Sequence, residues 1–162
     1  MSELATAKAF FQPGVSEIVF IDTIASATLD ATAAEINGGL KLLNEVYDVA
    51  GWSQSTSWIE RRRAKSRIRT QLAGASTFEG SSITFTADQA GNDAAAEFEE
   101  GQTGFVYFAD RGLVATLPAE VFQVEIGAVV NLRNYDNDYM KIRVDFGINR
   151  REKVVIPSLA VA

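Results

Sequence analysis

Three observations predict a mainly β fold: a two-residue apolar/polar alternation in the C-terminal half, short apolar runs bounded by turn-forming clusters, and helix signals confined to two short segments. The clearest alternation sets Met140, Ile142, Val144, Phe146 and Ile148 against Lys141, Arg143, Asp145, Gly147 and Asn149, the pattern of a half-buried strand. A second strand is predicted through Val121, Phe122, Gln123, Val124, Glu125 and Ile126. The polar stretch Asn131 to Asp138 between the two reads as the turn of a hairpin.

The remaining elements follow in chain order. Ile18 to Asp22 reads as a strand. Asp30 or Thr32 can cap a short helix through Ala33-Ala34-Glu35-Ile36, which the pair Gly38-Gly39 stops. Val46 to Ile59 holds one or two strands bent near Gly51. Ser82 to Ala87 is a strand with Ile83 and Phe85 on one face. Asn92 or Asp93 can cap a second helix over Ala94 to Glu100, and Phe105 to Phe108 is a strand after the breaks at Gly101 and Gly104. The sum is a β-sandwich or barrel with one or two short helices, in one domain spanning 1–162.

Composition narrows the chemistry. The chain has no cysteine and no histidine. That removes disulfides, thiolate metal sites, cysteine nucleophiles, the commonest general base and the commonest transition-metal ligand. Carboxylate and lysine chemistry survive, but no pair of acids is forced together by the pattern, so a non-enzymatic role with no cofactor is expected. No apolar run approaches the roughly eighteen residues needed to span a bilayer, and the start MSELATAKAFFQPG lacks a basic region followed by an apolar one. Neither a membrane span nor a secretory signal is expected.

Charge is distributed unevenly. Arg61, Arg62, Arg63, Lys65, Arg67 and Arg69 place six of the 15 basic residues within nine positions. Without them nine basic residues face 21 acidic ones, and the formal net charge falls from −6 to −12. Clustered guanidinium groups can neutralise phosphates. Against nucleic-acid binding stand a pI of about 4.7 and the absence of an aromatic residue for base stacking within the run. A solvated loop is the bland reading. A protein–protein role, with arginine forks pairing carboxylates, is favoured over both. The stretch from Ile59 to Phe78, about twenty residues between strands, is too long for an ordinary turn. It reads as an extended arm that orders on a neighbour.

Other candidates are weaker. Glu97, Glu99 and Glu100 beside Asp93 read as a solvated acidic helix face, not a cation site. Asn134-Tyr135-Asp136-Asn137-Asp138 lacks the glycine and distal glutamate of a calcium loop. Gly101-Gln102-Thr103-Gly104 has no following lysine, so it is no phosphate loop. Trp52 and Trp58 are either interface anchors or packed residues.

The order of elements resembles the major tail tube proteins of long, non-contractile-tailed bacteriophages, particularly those infecting actinobacteria. The likeness runs from about residue 15 to 157. It rests on Ala31 to Gly39, Glu45-Val-Tyr-Asp-Val-Ala-Gly-Trp-Ser53, Ser81-Ser-Ile-Thr-Phe-Thr-Ala-Asp88, Gly101-Gln-Thr-Gly-Phe-Val-Tyr-Phe108, Val121-Phe-Gln-Val124 and Phe146-Gly-Ile-Asn-Arg-Arg151. The resemblance implies a subunit of homo-hexameric rings whose strands join into one continuous β-barrel, with rings stacked into a tube in the virion tail. It implies residues 59–78 as the inter-ring stacking loop; the ends of the domain are expected to be an N-terminal arm (1–14) and a C-terminal arm (152–162). The run Arg61 to Arg69 departs from the family's mixed-charge loop, which leaves open whether the arginines face an adjoining subunit or the lumen.

The resemblance also implies synthesis in the host bacterial cytoplasm and tape measure, tail terminator and baseplate-proximal tail proteins as partners, with double-stranded DNA passing through the lumen. An acidic lining would let DNA slide without phosphate contacts. Candidate lumen residues are Gln54, Thr56, Thr84, Thr86, Gln123, Glu125 and Asp145. Two alternatives remain: the inner tube of a phage-derived injection apparatus, and a nucleic-acid-binding β-barrel that uses Arg61 to Arg69.

Overall fold

The computed structural model describes residues 4–10 and 12–159. Strand makes up 46% of the chain and helix 8%, so the mainly β prediction holds. The strands are β1 (Glu17–Ile21), β2 (Leu40–Lys41), β3 (Val46–Ala50), β4 (Gln54–Arg61), β5 (Thr70–Phe78), β6 (Ser81–Thr86), β7 (Thr103–Ala109), β8 (Pro118–Leu132) and β9 (Lys141–Val155); the helices are α1 (Ala33–Gly38) and α2 (Ala94–Glu97). Strands β2-β1-β7-β8-β9-β6-β3 form one sheet in that order, and β4-β5 a second. Among the described residues no helix is long and apolar enough to cross a membrane.

The chain folds as two compact units, with β8 divided between Gln123 and Val124 and β9 between Asn149 and Arg150. The first comprises residues up to Asn44, Gly104–Gln123 and the chain from Arg150. There β1 pairs antiparallel with both β2 and β7. Val19, Ile21, Ile36, Tyr107, Val121 and Ile156 close its core. Gly104 leaves room for the buried ring of Phe20, which a Cβ there would displace. Burial pushes the Tyr107 phenol up to about 12, aided by the charge of Asp30.

Helix α1 forms for the reason its sequence suggests. Thr32 caps it: its hydroxyl accepts from the Glu35 N–H at 3.3 Å, and the Glu35 carboxylate accepts from the Thr32 N–H at 2.7 Å. Ala25 N–H donates to the same carboxylate at 2.9 Å, tying the preceding loop to the cap.

The stretch expected as a C-terminal arm is different. Residues 152–155 continue β9, and Val154 and Ile156 are buried. Ile156 donates its N–H to Leu117 and accepts from Thr116, both at 2.9 Å. Alternating apolar residues carry the strand on because the first unit's core takes them. Residues 160–162, and 1–3 and 11 of the N-terminal arm, lie outside the described residues; Leu4 to Phe10 are exposed and without regular structure.

The second unit comprises Glu45–Thr103 and Val124–Asn149. Antiparallel pairing joins β6 to β3 and to β9. Ile83, Phe85, Val124, Ile126, Ile142, Val144 and Phe146 are buried; of the predicted alternation, Met140 precedes β9 and is exposed, and Ile148 is half-buried. Helix α2 is shorter than expected. Asp93 caps it, but Phe98 leaves helical geometry (φ −113°, ψ 132°) and is buried against Phe85 and Phe146.

Thr32→Ala is expected to destabilise the chain by about 1 kcal/mol in chemical denaturation, the usual effect of losing a cap. The N–H groups of Thr32 and Ala25 hold the Glu35 carboxyl below its ordinary 4.5. Its contribution is therefore full above about pH 4.5 and is lost as pH falls through the lowered value. Glu35→Gln should flatten this part of the stability-versus-pH curve and leave the slope near pH 7 unchanged.

Candidate functional site: a hairpin arm with a basic tip

Two strand pairs that belong to different sheets are successive parts of one hairpin. Ala50 pairs with Ser82 and Gln54 with Phe78, four residues forward on one limb and four back on the other. The register is thus kept from β3/β6 into β4/β5 across residues 51–53 and 79–80. Pairing breaks there because Gly51 and Trp52 both adopt positive φ, 82° and 63°. Glycine is required at the first, where a Cβ would collide with the Gly80 carbonyl oxygen and lie 2.8 Å from Ser81 Cα.

Trp52 is an uncommon residue for left-handed backbone. It is held by its N–H to Ser81 Oγ (2.9 Å), its indole N–H to the Ser82 carbonyl (3.3 Å), and its ring against Phe146. The buried Ser81 hydroxyl donates in turn to the Glu79 carbonyl at 3.1 Å. Trp52 is thus a packed residue at the base of the arm.

Beyond this kink the structure differs from the sequence expectation. The stretch 59–78 is largely paired strand, and only residues 62–69 form the tip. Hydroxyl pairs Ser55–Thr77 (3.2 Å) and Thr56–Ser76 (3.1 Å) cross the ladder. Between Thr56 and Trp58 the register shifts, leaving Gly74 and Ala75 opposite Ser57, whose hydroxyl donates to the Ala75 carbonyl at 3.0 Å. Gly74 belongs there because a Cβ would approach Ser57 Oγ to 2.8 Å.

After the shift Trp58 pairs with Ala73 and Ile59 with Leu72, on opposite faces. Trp58, Ile59 and Leu72 are 62%, 57% and 50% exposed. Apolar surface therefore stands on both faces of the arm. Trp58 is legible in the sequence as a candidate anchor and Ile59 beside it as half of an apolar pair after Ser53 to Ser57; Leu72 carries no such signal.

Arg61 ends β4, and Arg62, Arg63, Lys65, Arg67 and Arg69 occupy the tip, all exposed. Arg69 pairs with Glu60 at 3.1 Å. The Ser66 hydroxyl accepts from the Ile68 N–H, and a concavity of about 570 Å³ lies among Arg62, Arg63, Ser66, Arg67, Ile68 and Arg69.

The lumen candidates separate. In the second unit the registers bring Asp48, Thr84 and Arg143 side by side, with Ser82 next to Asp145 and Thr86 next to Lys141. Glu125 is exposed between buried Val124 and Ile126, as Asp145 alternates with buried Val144 and Phe146, so it shares this face. Thr86, Glu125 and Asp145 thus sit on one polar face. Thr84 is buried between its cross-strand partners Asp48 and Arg143. The face is of mixed charge: Arg143 donates to Asp145 at 2.9 Å. Gln54 and Thr56 lie on the arm, and Gln123 is half-buried on β8 in the first unit. Among the described residues no cluster of acidic groups could hold a metal ion.

What distinguishes the surface is an exposed strand pair that carries apolar residues and a basic tip. The chain belongs to the phage tail tube protein family, whose model matches residues 5–157. Among solved structures it is similar to the PVC sheath/tube terminator of an extracellular contractile injection system in its extended state, at 11% identity and TM-score 0.62 over 91% of this chain and 99% of that one. It is also similar to a chain of the anti-feeding prophage (AFP) baseplate, at 10% identity and TM-score 0.51 over 94% and 97%. At such identities the likeness is one of fold. No curated protein sequence matches it.

Gly51→Ala is expected to destabilise the second unit by more than about 1 kcal/mol, because a methyl must enter backbone-occupied space at positive φ. Thermal unfolding followed by near-ultraviolet dichroism of Trp52 measures this directly.

Proposed function

We propose that this tail tube protein forms homo-hexameric rings whose strands join into a continuous β-barrel, that the rings stack, and that the channel conducts double-stranded DNA during ejection. The arm 54–78 links one ring to the next, with Arg61, Arg62, Arg63, Lys65, Arg67 and Arg69 at the contact. The observation that carries this reading is the apolar surface on both faces of the arm. A two-stranded hairpin is marginal alone, and Trp58 on one face with Ile59 and Leu72 on the other gain most when both faces are covered. Repeated copies of one subunit provide such cover.

Electrostatics support the same arrangement. The segment Arg61 to Arg69 carries six cations while the rest of the chain has a formal charge of −12, so it meets attractive surface on another copy. On the face proposed for the lumen, Arg143 is paired with Asp145 and Lys141 with Asp138, which weakens the hold either cation has on a phosphate. The role is structural, without catalysis or cofactor. Tape measure, terminator and baseplate-proximal proteins are its further partners in the virion tail, after synthesis in the host cytoplasm.

The triple variant Arg61→Glu, Arg62→Glu, Arg63→Glu should keep the wild-type melting temperature within a few degrees and lose tube formation under electron microscopy. Normal tubes from that variant would overturn the stacking role. The competing nucleic-acid reading requires duplex DNA affinity that falls with log salt at a slope of about −5, as six phosphate contacts dictate. A shallow slope and weak affinity are expected here.

A further inference from the structure

The tip is one end of a long hairpin, and the registers show what stands at the other. Val46 pairs with Phe85 and Thr86 with Lys141, and the Ala87 N–H donates to the Met140 carbonyl at 3.1 Å. Loop 133–140 and Asp88 therefore lie where β3 begins and β6 ends. The arm leaves from the opposite ends of these same strands, at Ala50 and Ser81. Along the limb, Arg61 lies eleven residues beyond Ala50, so tip and loop lie beyond opposite ends of β3.

This end collects all the tyrosines except the buried Tyr107: Tyr47, Tyr135 and Tyr139 are 55%, 90% and 50% exposed. Tyr47 stands at the register shift of β3, edge-on to Tyr139 with centroids 6.0 Å apart. Lys141 Nζ lies 3.8 Å from the Tyr47 centroid and is paired with Asp138. The chain thus already seats one cation between an aromatic face and a carboxylate at this spot. The hydrogen bond to Asp138 holds Lys141 above its ordinary value, and that to Lys141 holds Asp138 below its own. Exposed Tyr135, Asp136 and Asp88 repeat the same elements beside it.

We propose that this tyrosine–aspartate surface is the receptor for the arginine tip of a second copy. Guanidinium groups stack on tyrosine rings and pair with carboxylates, both of which the surface presents. The contact is head-to-tail: tip and receptor occupy opposite ends of one hairpin, so each copy offers both, and the contact can repeat from copy to copy. This inference rests on the proposed stacking role of the tip and names its partner surface.

The absence of native cysteine makes the test clean. Ala64→Cys in the tip and Asn137→Cys in the receptor, introduced together, leave every proposed contact residue intact. Under mild oxidation during assembly the double variant should give a ladder of disulfide-linked multimers, and either single variant none. The pair Ala64→Cys with Ala96→Cys, on the acidic segment around α2, is the rival. A ladder from that pair alone would overturn the inference while leaving tip-mediated stacking in place. Tubes that form with no ladder from 64/137 would also overturn it. If the triple tip variant assembles normally, the stacking reading itself fails. As a second readout, Tyr135→Ala with Asp136→Arg should raise the concentration needed for tubes by at least about ten-fold. Mixing that receptor variant with the tip-glutamate variant should recover co-assembly.

Discussion

The close passage of Gly51 across the Gly80 carbonyl governs the second unit's reach. Two limbs that pair in register must cross a point where the ladder is interrupted, and only a residue without a Cβ leaves room for the opposing backbone. Trp52 follows in the same left-handed region, a conformation that costs about 1–2 kcal/mol for a side chain of its kind. Its three anchors, on Ser81, Ser82 and Phe146, offset that cost. The kink is therefore a defined joint between a buried pair of strands and an exposed pair.

Charge and apolar surface are arranged along this hairpin in a consistent way. At its base lies a core of Phe85, Phe98 and Phe146; beyond the joint come hydroxyl ladders, then Trp58, Ile59 and Leu72, then arginines. Ser and Thr at positions 55, 56, 76 and 77 satisfy one another across the strands, which keeps that stretch ordered without a core beneath it. The acidic majority lies elsewhere, including an uninterrupted stretch from Thr70 to Asp110 without one lysine or arginine.

Much of this was legible from residue order alone, and the misses have physical causes. The cap at Thr32, the alternation through Ile142, Val144 and Phe146, and the break near Gly51 each express a local rule that tertiary structure did not override. The arm read as loop because its bulge changes the pairing parity at Gly74 and Ala75, and because arginines dominate its end; neither limb shows the half-buried alternation that marks a strand on a core. Helix α2 read as longer because nothing in Ala94 to Glu100 announces that Phe98 is drawn into the core. The tyrosine surface was invisible because Tyr47 and Tyr139 are 92 positions apart, and only the β3–β6–β9 register brings them together. The continuation of β9 to Val155 follows from the core that receives Val154 and Ile156.

The arm's construction as paired strand has a mechanical consequence. A tensile load applied at residues 62–69 and resisted at β3 and β6 runs along two covalent backbones side by side. The ladder between them is neither peeled from its end nor sheared along its length. Strands rise about 3.3 Å per residue against a limit of roughly 3.6 Å, so the limbs have little slack to yield. Residues 51–53, held against Gly80, Ser81, Ser82 and Phe146, pass that load to the core. Such an arm behaves as an inextensible tether fixed at one defined joint.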